Sequence, residues 1–244
     1  MAKTFADMVH RYEGNRYAFS SFLGLAEIDE FLRFVNDYPD LPYTLFGGRD
    51  GCERLMLRIG SVETLGYDEP FPIKIIRISP KSEKFVDALT HRDYLGALMH
   101  LGIERSSVGD ILLSGKDAYI FCTEIICPYI LENLIKIKHT TVVCEVVDSV
   151  PETEESEPKE VFIQVASERL DLILAKTYNL SRTSATELFR TKKVFVNGRL
   201  CENNSYNLKE TDIVSVRGFG RLWMVGISGL SKKGKINMTV AVTK

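Results

Sequence analysis

The chain has 244 residues, 45% of them hydrophobic and 26% charged, the balance of an ordinary globular protein and too apolar for wholesale disorder. Its longest uncharged candidates for a membrane span, residues 17–26 and 222–230, fall well short of the roughly 18 to 20 apolar residues required. The net charge of −2 conceals an asymmetry: residues 161–244 hold 14 Lys+Arg and 6 Asp+Glu, leaving 17 and 27 for residues 1–160. A separately basic C-terminal third is the electrostatic footprint of a nucleic-acid module.

Asp7 and Glu13 interrupt the N-terminus before any apolar signal core. Five scattered cysteines, with no Cys-x-x-Cys pair, argue against a disulfide framework and a zinc site and suit a reducing cytoplasm. Residues 5–38 read as helical, with Leu25, Ile28, Phe31, Leu32 and Val35 at i, i+3, i+4, i+7 spacing until Pro39 and Pro42. Short apolar runs at 43–46 and 55–59 complete a small α+β unit over residues 1–70.

From residue 71 the pattern gives strand 73–78 and helix 82–101, whose apolar positions are Phe85, Leu89, Leu95, Leu98 and Met99 and whose stop is Gly102. Strands 110–113 and 118–122, helix 128–137 and a β-branched strand at 141–147 follow. The order β-α-β-β-α-β is that of a ferredoxin-like, RRM-like sandwich over residues 71–148. Residues 149–160, with five glutamates and two prolines, read as an acidic linker.

The module at 161–244 opens with two short helices. Leu170, Ile173, Leu174 and Tyr178 line one; Ala185, Leu188 and Phe189 line the other, with Ser181 as its N-cap. Val194-Phe195-Val196, the turn Asn197-Gly198 and Arg199-Leu200 form a hairpin, and Ile213–Val216 is a further strand. Arg182, Arg190, Lys192 and Lys193 lie on or just after the second helix, with Arg199 beyond the turn, so a basic helical face suited to RNA phosphates is expected. Arg217 and Arg221 flank two glycines that let backbone approach a phosphate, and Lys232, Lys233 and Lys235 extend the candidate patch. Leu170, Ile173, Leu188 and Trp223 are assigned to the core, Phe219 to packing, and Arg169 and Asp171 to pairing and capping.

Arg169-Leu170-Asp171, Ser181-Arg182 with Ala185, Val194-Phe195-Val196-Asn197-Gly198, Ser205, Leu208 and Arg217-Gly218 together resemble the S-four, or alpha-L, RNA-binding domain. Upstream, residues 89–98, Leu101-Gly102-Ile103-Glu104-Arg105, Gly109-Asp110-Ile111, Phe46-Gly47-Gly48 and Glu53-Arg54 resemble the bacterial YlmH family, as does the tail 216–235. Thr211 departs from it, standing where the family carries glycine before Asp212. The resemblance implies a cytoplasmic bacterial protein that binds structured ribosomal RNA or tRNA, associated with the large ribosomal subunit in stalled-translation quality control. It adds Asn197 to the RNA-binding set of Arg182, Arg190, Lys192, Lys193, Arg199, Arg217, Arg221, Lys232 and Lys233. A monomer without enzymatic activity, metal or cofactor is expected.

His91-Arg92-Asp93 superficially matches a kinase catalytic loop, but the downstream asparagine, D-F-G and Gly-rich loop are missing. Thr90 capping a helix, with Asp93 completing the box, accounts for the triplet more simply. His91, Arg92 and Arg105 remain secondary candidates for RNA contact. Two other readings stand beside RNA binding. One is an RNA-modifying enzyme such as a pseudouridine synthase relative, although the one Arg-Leu-Asp triplet lies inside the basic module. The other is a protein-interaction scaffold using the acidic two-thirds.

Overall fold

Residues 5–38, expected as one helical stretch, divide into three elements in the computed structural model, which describes residues 2–82, 88–151 and 158–243. Helix α1 (Ala2–Glu13) ends where Asn15 enters the left-handed region (φ 58°), and β1 (Ala18–Leu23) follows before α2 (Leu25–Phe34). Aromatic Tyr17, Phe19 and Phe22 favour extended backbone, which breaks the helical reading. The apolar spacing of α2 holds, with Leu25, Ile28 and Phe31 buried. Strands β2 (Tyr43–Phe46) and β3 (Leu55–Ile59) complete an antiparallel sheet of order β1-β3-β2, and the single turn α3 (Val62–Leu65) follows.

The next sheet is built from β4 (Ile73–Pro80), β5 (Val108–Ser114), β6 (Asp117–Thr123), β7 (Lys136–Ile137) and β8 (Thr140–Val147), with helices α4 (His91–His100) and α5 (Cys127–Asn133). Its order, β5-β6-β4-β8-β7, antiparallel at every pairing, is that of the split βαβ sandwich with a short strand added at one edge. Two helix boundaries differ from the sequence reading. The first helix starts at His91; Phe85 and the rest of 83–87 lie outside the described residues. The second stops at Asn133, because Ile137 pairs with Thr140 across a tight turn whose first residue, Lys138, holds φ 52°.

The two sheets of residues 1–152 share a buried cluster of Phe22, Cys52, Met56, Ile75, Tyr119 and Phe121. Hydrogen bonds lock the join. Asp110 accepts from the backbone N–H of Glu53 (2.6 Å) and Arg54 (3.0 Å), while the Arg54 guanidinium donates to the carbonyls of Phe22 (2.7 Å) and Val108 (3.1 Å). A Cβ on Gly109 would sit 2.7 Å from the Phe22 ring. Much of the motif content around residues 47–54 and 109–110 therefore serves packing.

Residues 153–244 form a separate unit. Its sheet has order β11-β10-β12-β13-β14-β9, from β9 (Lys159–Val165), β10 (Val194–Val196), β11 (Arg199–Leu200), β12 (Ile213–Val216), β13 (Gly220–Leu230) and β14 (Ile236–Thr243). Helices α6 (Leu170–Thr177) and α7 (Arg182–Arg190) bury Leu170, Ile173, Leu174, Leu188 and Phe189 against Val194, Val214, Val216, Leu222, Met238 and Val240. Lys159 and Glu160, read as linker, belong to β9; residues 152–157 of that linker lie outside the described residues. Trp223, assigned to the core, projects from the opposite face, because strand neighbours alternate and Leu222 and Met224 point inward. Phe219 packs on Tyr178 with ring centroids 4.9 Å apart.

Two buried carboxylates organise this unit. Asp171, 1% exposed, takes a two-pronged bond from Arg169 (2.8 and 3.1 Å), so both residues serve as a pair and the expected capping role is not used. Asp212 accepts from Asn197 Nδ2 (2.8 Å), Tyr206 Oη (2.8 Å) and the Lys209 N–H (3.0 Å). Burial pushes the Asp212 carboxyl up, but these hydrogen bonds outweigh it and hold its pKa below the usual range. A carboxylate with a depressed folded pKa stabilises above its unfolded value and loses that contribution as pH falls through the folded one. Asp212→Asn should therefore flatten the acid limb of stability below about pH 4; urea midpoints at stepped pH, wild type against variant, check this. Asp171→Ala leaves Arg169 without its carboxylate partner and should lower the urea midpoint in the same assay.

Candidate nucleic-acid interface

Helix α7 starts with a side-chain cap: Ser181 Oγ accepts from the Ser184 N–H at 3.0 Å. It ends in a Schellman arrangement, with Lys192 N–H donating to the Phe189 carbonyl (3.0 Å) and Lys193 N–H to the Leu188 carbonyl (2.9 Å). The arrangement demands a left-handed residue, and Lys192 supplies it at φ 55°. Glycine is the usual occupant of such a site; lysine there bears a backbone cost of roughly 1–2 kcal/mol.

That reversal delivers Lys193 to the edge of β10. Val194 pairs with Val216, and one step further the Arg217 N–H donates to the Lys193 carbonyl at 2.9 Å. Lys192, Lys193 and Arg217, separated by up to 25 positions in sequence, thus share one end of the domain, all solvent-exposed. The Arg217 guanidinium lies 5.3 Å from the Phe195 ring centroid, a cation–π contact that steadies the charged group while the residue stays exposed. Arg182 stands at the other end of α7, about 12 Å away along the axis.

The remaining candidates divide by what already holds them. Arg190 donates to both carboxylate oxygens of Glu187 (2.7 Å each), which keeps the Glu187 carboxyl below its ordinary range. Lys192 lies 3.6 Å from Glu202. Asn197 uses its amide in the fold: Nδ2 donates to Asp212, and Oδ1 accepts from the Ile213 N–H at 2.9 Å. At φ 51° it also makes the hairpin turn with Gly198 (φ 79°). Arg199 projects from β11, opposite Val196, and Arg221 lies on β13 beside Ser215. Lys232, Lys233 and Lys235 sit at the far end of the β13–β14 hairpin. Nine strand residues, 222–230, lie between Arg221 and the turn that carries Lys232, roughly 30 Å of strand, so the structure sets these lysines apart from the α7 cluster. Thr211 is exposed and outside the left-handed region, so the turn before Asp212 closes without glycine.

In residues 1–152, the capping reading of the His91-Arg92-Asp93 triplet matches the structure: Asp93 Oδ2 accepts from Thr90 N–H (2.8 Å) and Thr90 Oγ1 (2.7 Å). Lys138 Nζ adds a 2.7 Å ion pair, and its hydrogen bond with those of Thr90 holds the Asp93 pKa at about 2. His91 is exposed, yet the protein around it disfavours its charged form and lowers its pKa; Asp110 opposes that and Arg105 adds to it. Arg105 donates inward to the carbonyls of Val108 and Gly109, and partial burial followed by repulsion from Arg54 lowers its pKa to about 10. Arg92 is exposed in the first turn of α4. Among the described residues no cluster of metal-ligating side chains occurs, and no helix is long and apolar enough to cross a membrane.

Each of the two units contains one family match. Residues 67–150 match the family described as "Putative RNA-binding domain in YlmH", and residues 168–214 match the S4 domain. Among curated proteins the chain is 28% identical over 212 residues to "Ribosome-associated protein quality control protein P2" of Bacillus subtilis (strain 168), covering 85% of this chain and 80% of that protein. Among solved structures, "Cell division protein ylmH from Streptococcus pneumoniae" is 23% identical, with a TM-score of 0.46, over 59% of this chain and 87% of that one. The chain thus carries a domain that matches the YlmH RNA-binding family over residues 67–150, followed by an S4 domain over residues 168–214.

Proposed function

We propose that the protein is a non-enzymatic RNA-binding factor of the ribosome, gripping structured ribosomal RNA or tRNA through the α7 end of its C-terminal unit. The observation that carries this reading is the Lys192–Lys193–Arg217 cluster, fixed by the 2.9 Å bond from Arg217 N–H to the Lys193 carbonyl. Three cations on a short, rigid scaffold meet consecutive phosphates without ordering long loops first. Arg182, at the capped start of α7, presents a fourth positive charge beside unpaired backbone donors. Arg190, Arg199 and Arg221 flank this surface, and Asn197 acts by shaping the hairpin beneath it.

A-form RNA offers shape, phosphates and 2′-hydroxyls rather than readable major-groove edges, which suits a blunt cationic corner. The name of the Bacillus subtilis relative supports association with ribosomes in quality control of translation. The large subunit, carrying peptidyl-tRNA, is the partner proposed here. The protein acts there as a placed binder, with the reading of its site resting on phosphate contact rather than on a nucleophile, an acid–base pair or a cofactor loop.

If phosphate contacts dominate, log–log plots of affinity for large-subunit RNA against salt should be linear, losing about 0.7–0.9 of slope per phosphate contact removed. Arg182→Glu with Lys193→Glu should flatten that slope and abolish co-sedimentation with large subunits while the thermal midpoint stays unchanged. Undiminished binding by the double variant would sink the assignment. Lys192→Gly separates strain from charge. It should raise stability by up to about 1 kcal/mol while weakening RNA binding, read by thermal unfolding and fluorescence anisotropy on one preparation. Mass spectrometry of ribosomal RNA incubated with the protein and common cofactors tests the non-enzymatic reading; a protein-dependent modified nucleotide would overturn it.

A further inference from the structure

We propose that the domain spanning residues 71–148 carries a second nucleotide site, a cationic cleft between α4 and the α5–β7 connection that takes one unpaired RNA nucleotide with its flanking phosphates. The inference rests on the reading of the protein as an RNA binder and adds a location and a ligand that the C-terminal surface does not supply. The cleft is open, about 540 Å³, and of the size that accepts a single small ligand. Arg92, Gly96 and His100, four residues apart along α4, form one wall. Leu134, Ile135, Lys136 and Lys138 form the other.

The lining has the two chemistries a nucleotide needs. Ala97, Leu101, Leu134 and Ile135 give an apolar floor for a base, and Ile135 is 66% exposed despite its size. Arg92 and Lys136 stand at the rim, both exposed and without an ion pair among the described residues. Asp93, the acidic residue in the lining, is neutralised by Lys138 and bound by Thr90, so the local balance stays positive although residues 1–160 carry a net acidic charge. Unpaired bases are recognised by apolar or guanidinium stacking with phosphates held alongside.

Gly96 is the discriminating residue. It lies mid-helix, where glycine is the least favourable residue after proline, and a Cβ there would meet no atom within 4 Å. Its φ is not left-handed, so neither backbone geometry nor internal packing calls for glycine. What its missing side chain does is keep the middle of the Arg92–His100 wall low, where a ligand would lie.

The test uses the full chain, with fluorescence anisotropy on two probes: an RNA hairpin with an unpaired loop and a fully paired duplex of equal length. Gly96→Leu fills the cleft with a strong helix former. Its thermal midpoint should rise by roughly 2–4 °C, while affinity for the looped RNA falls about tenfold and duplex affinity holds. Lys136→Glu, a surface change, should lose loop affinity in the same way and covers the case in which Gly96→Leu disturbs folding. If both variants bind the looped RNA like wild type while Arg182→Glu/Lys193→Glu does not, the cleft proposal is wrong and the C-terminal reading stands. If wild type binds neither probe, both fall.

Discussion

The left-handed backbone at Lys192 is the constraint from which the cationic corner of the C-terminal unit follows. A helix that ended in any other way would send the chain off along a different line. Here the two bonds from Lys192 and Lys193 fold it straight onto the edge of β10, and the register of β10 with β12 then brings Arg217 alongside. The backbone that carries each charge is thereby fixed by hydrogen bonds, so the cost of ordering at the moment of binding falls on the side chains alone. A lysine at a position where glycine is easier concedes some folding stability in exchange for a cation at a fixed place.

Two acidic residues of that unit reinforce the effect by being occupied elsewhere, and two others are partnered with cations of the same surface. Asp171 and Asp212 are buried and committed to Arg169 and to the Asn197–Tyr206–Lys209 bonds. Glu187 is bound by Arg190, and Glu202 faces Lys192. Four of the six carboxylates that the sequence holds over residues 161–244 are thus spent on internal bonds or on single partners. The surface presented to a polyanion is set by where those partners sit more than by the net count. Arg190 is the position where this matters most, since its charge is shared with Glu187 in the absence of RNA.

Local signals in the sequence were legible, and distances were not. The Ser181 cap, the Asn197-Gly198 hairpin and the Thr90–Asp93 pairing are written within four residues of each other, and each forms as its residue types require. The Lys193–Arg217 contact depends on the strand register of β10 and β12, which side-chain chemistry at the two positions does not announce. The long β13–β14 hairpin was readable in part: Ile236, Met238, Val240 and Val242 alternate with polar or small residues, the period of a half-buried strand. Residues 216–235 contain the partner strand β13 (Gly220–Leu230), whose glycines and mixed polarity weaken that period and mask the separation of Lys232 and Lys233 from α7. In the N-terminal unit, the aromatics at 17, 19 and 22 marked β1, but flanking helical spacing masked them.

A globally acidic stretch and a cationic cleft within it are compatible because charge acts over a limited range. At physiological ionic strength the screening length is about 8 Å, so a phosphate at the α4 cleft feels Arg92, Lys136 and the Lys138–Asp93 pair far more than carboxylates on distant surfaces. The remaining acidic groups still work against casual binding, since a polyanion that fails to reach the cleft meets repulsion elsewhere on residues 1–160. On the two proposals, a basic grip in one unit and a small apolar-floored cleft in the other divide the task by chemistry: the first would respond to phosphate density, and the second would admit a nucleotide already free of its pair. Affinity would come from the first and choice of site from the second.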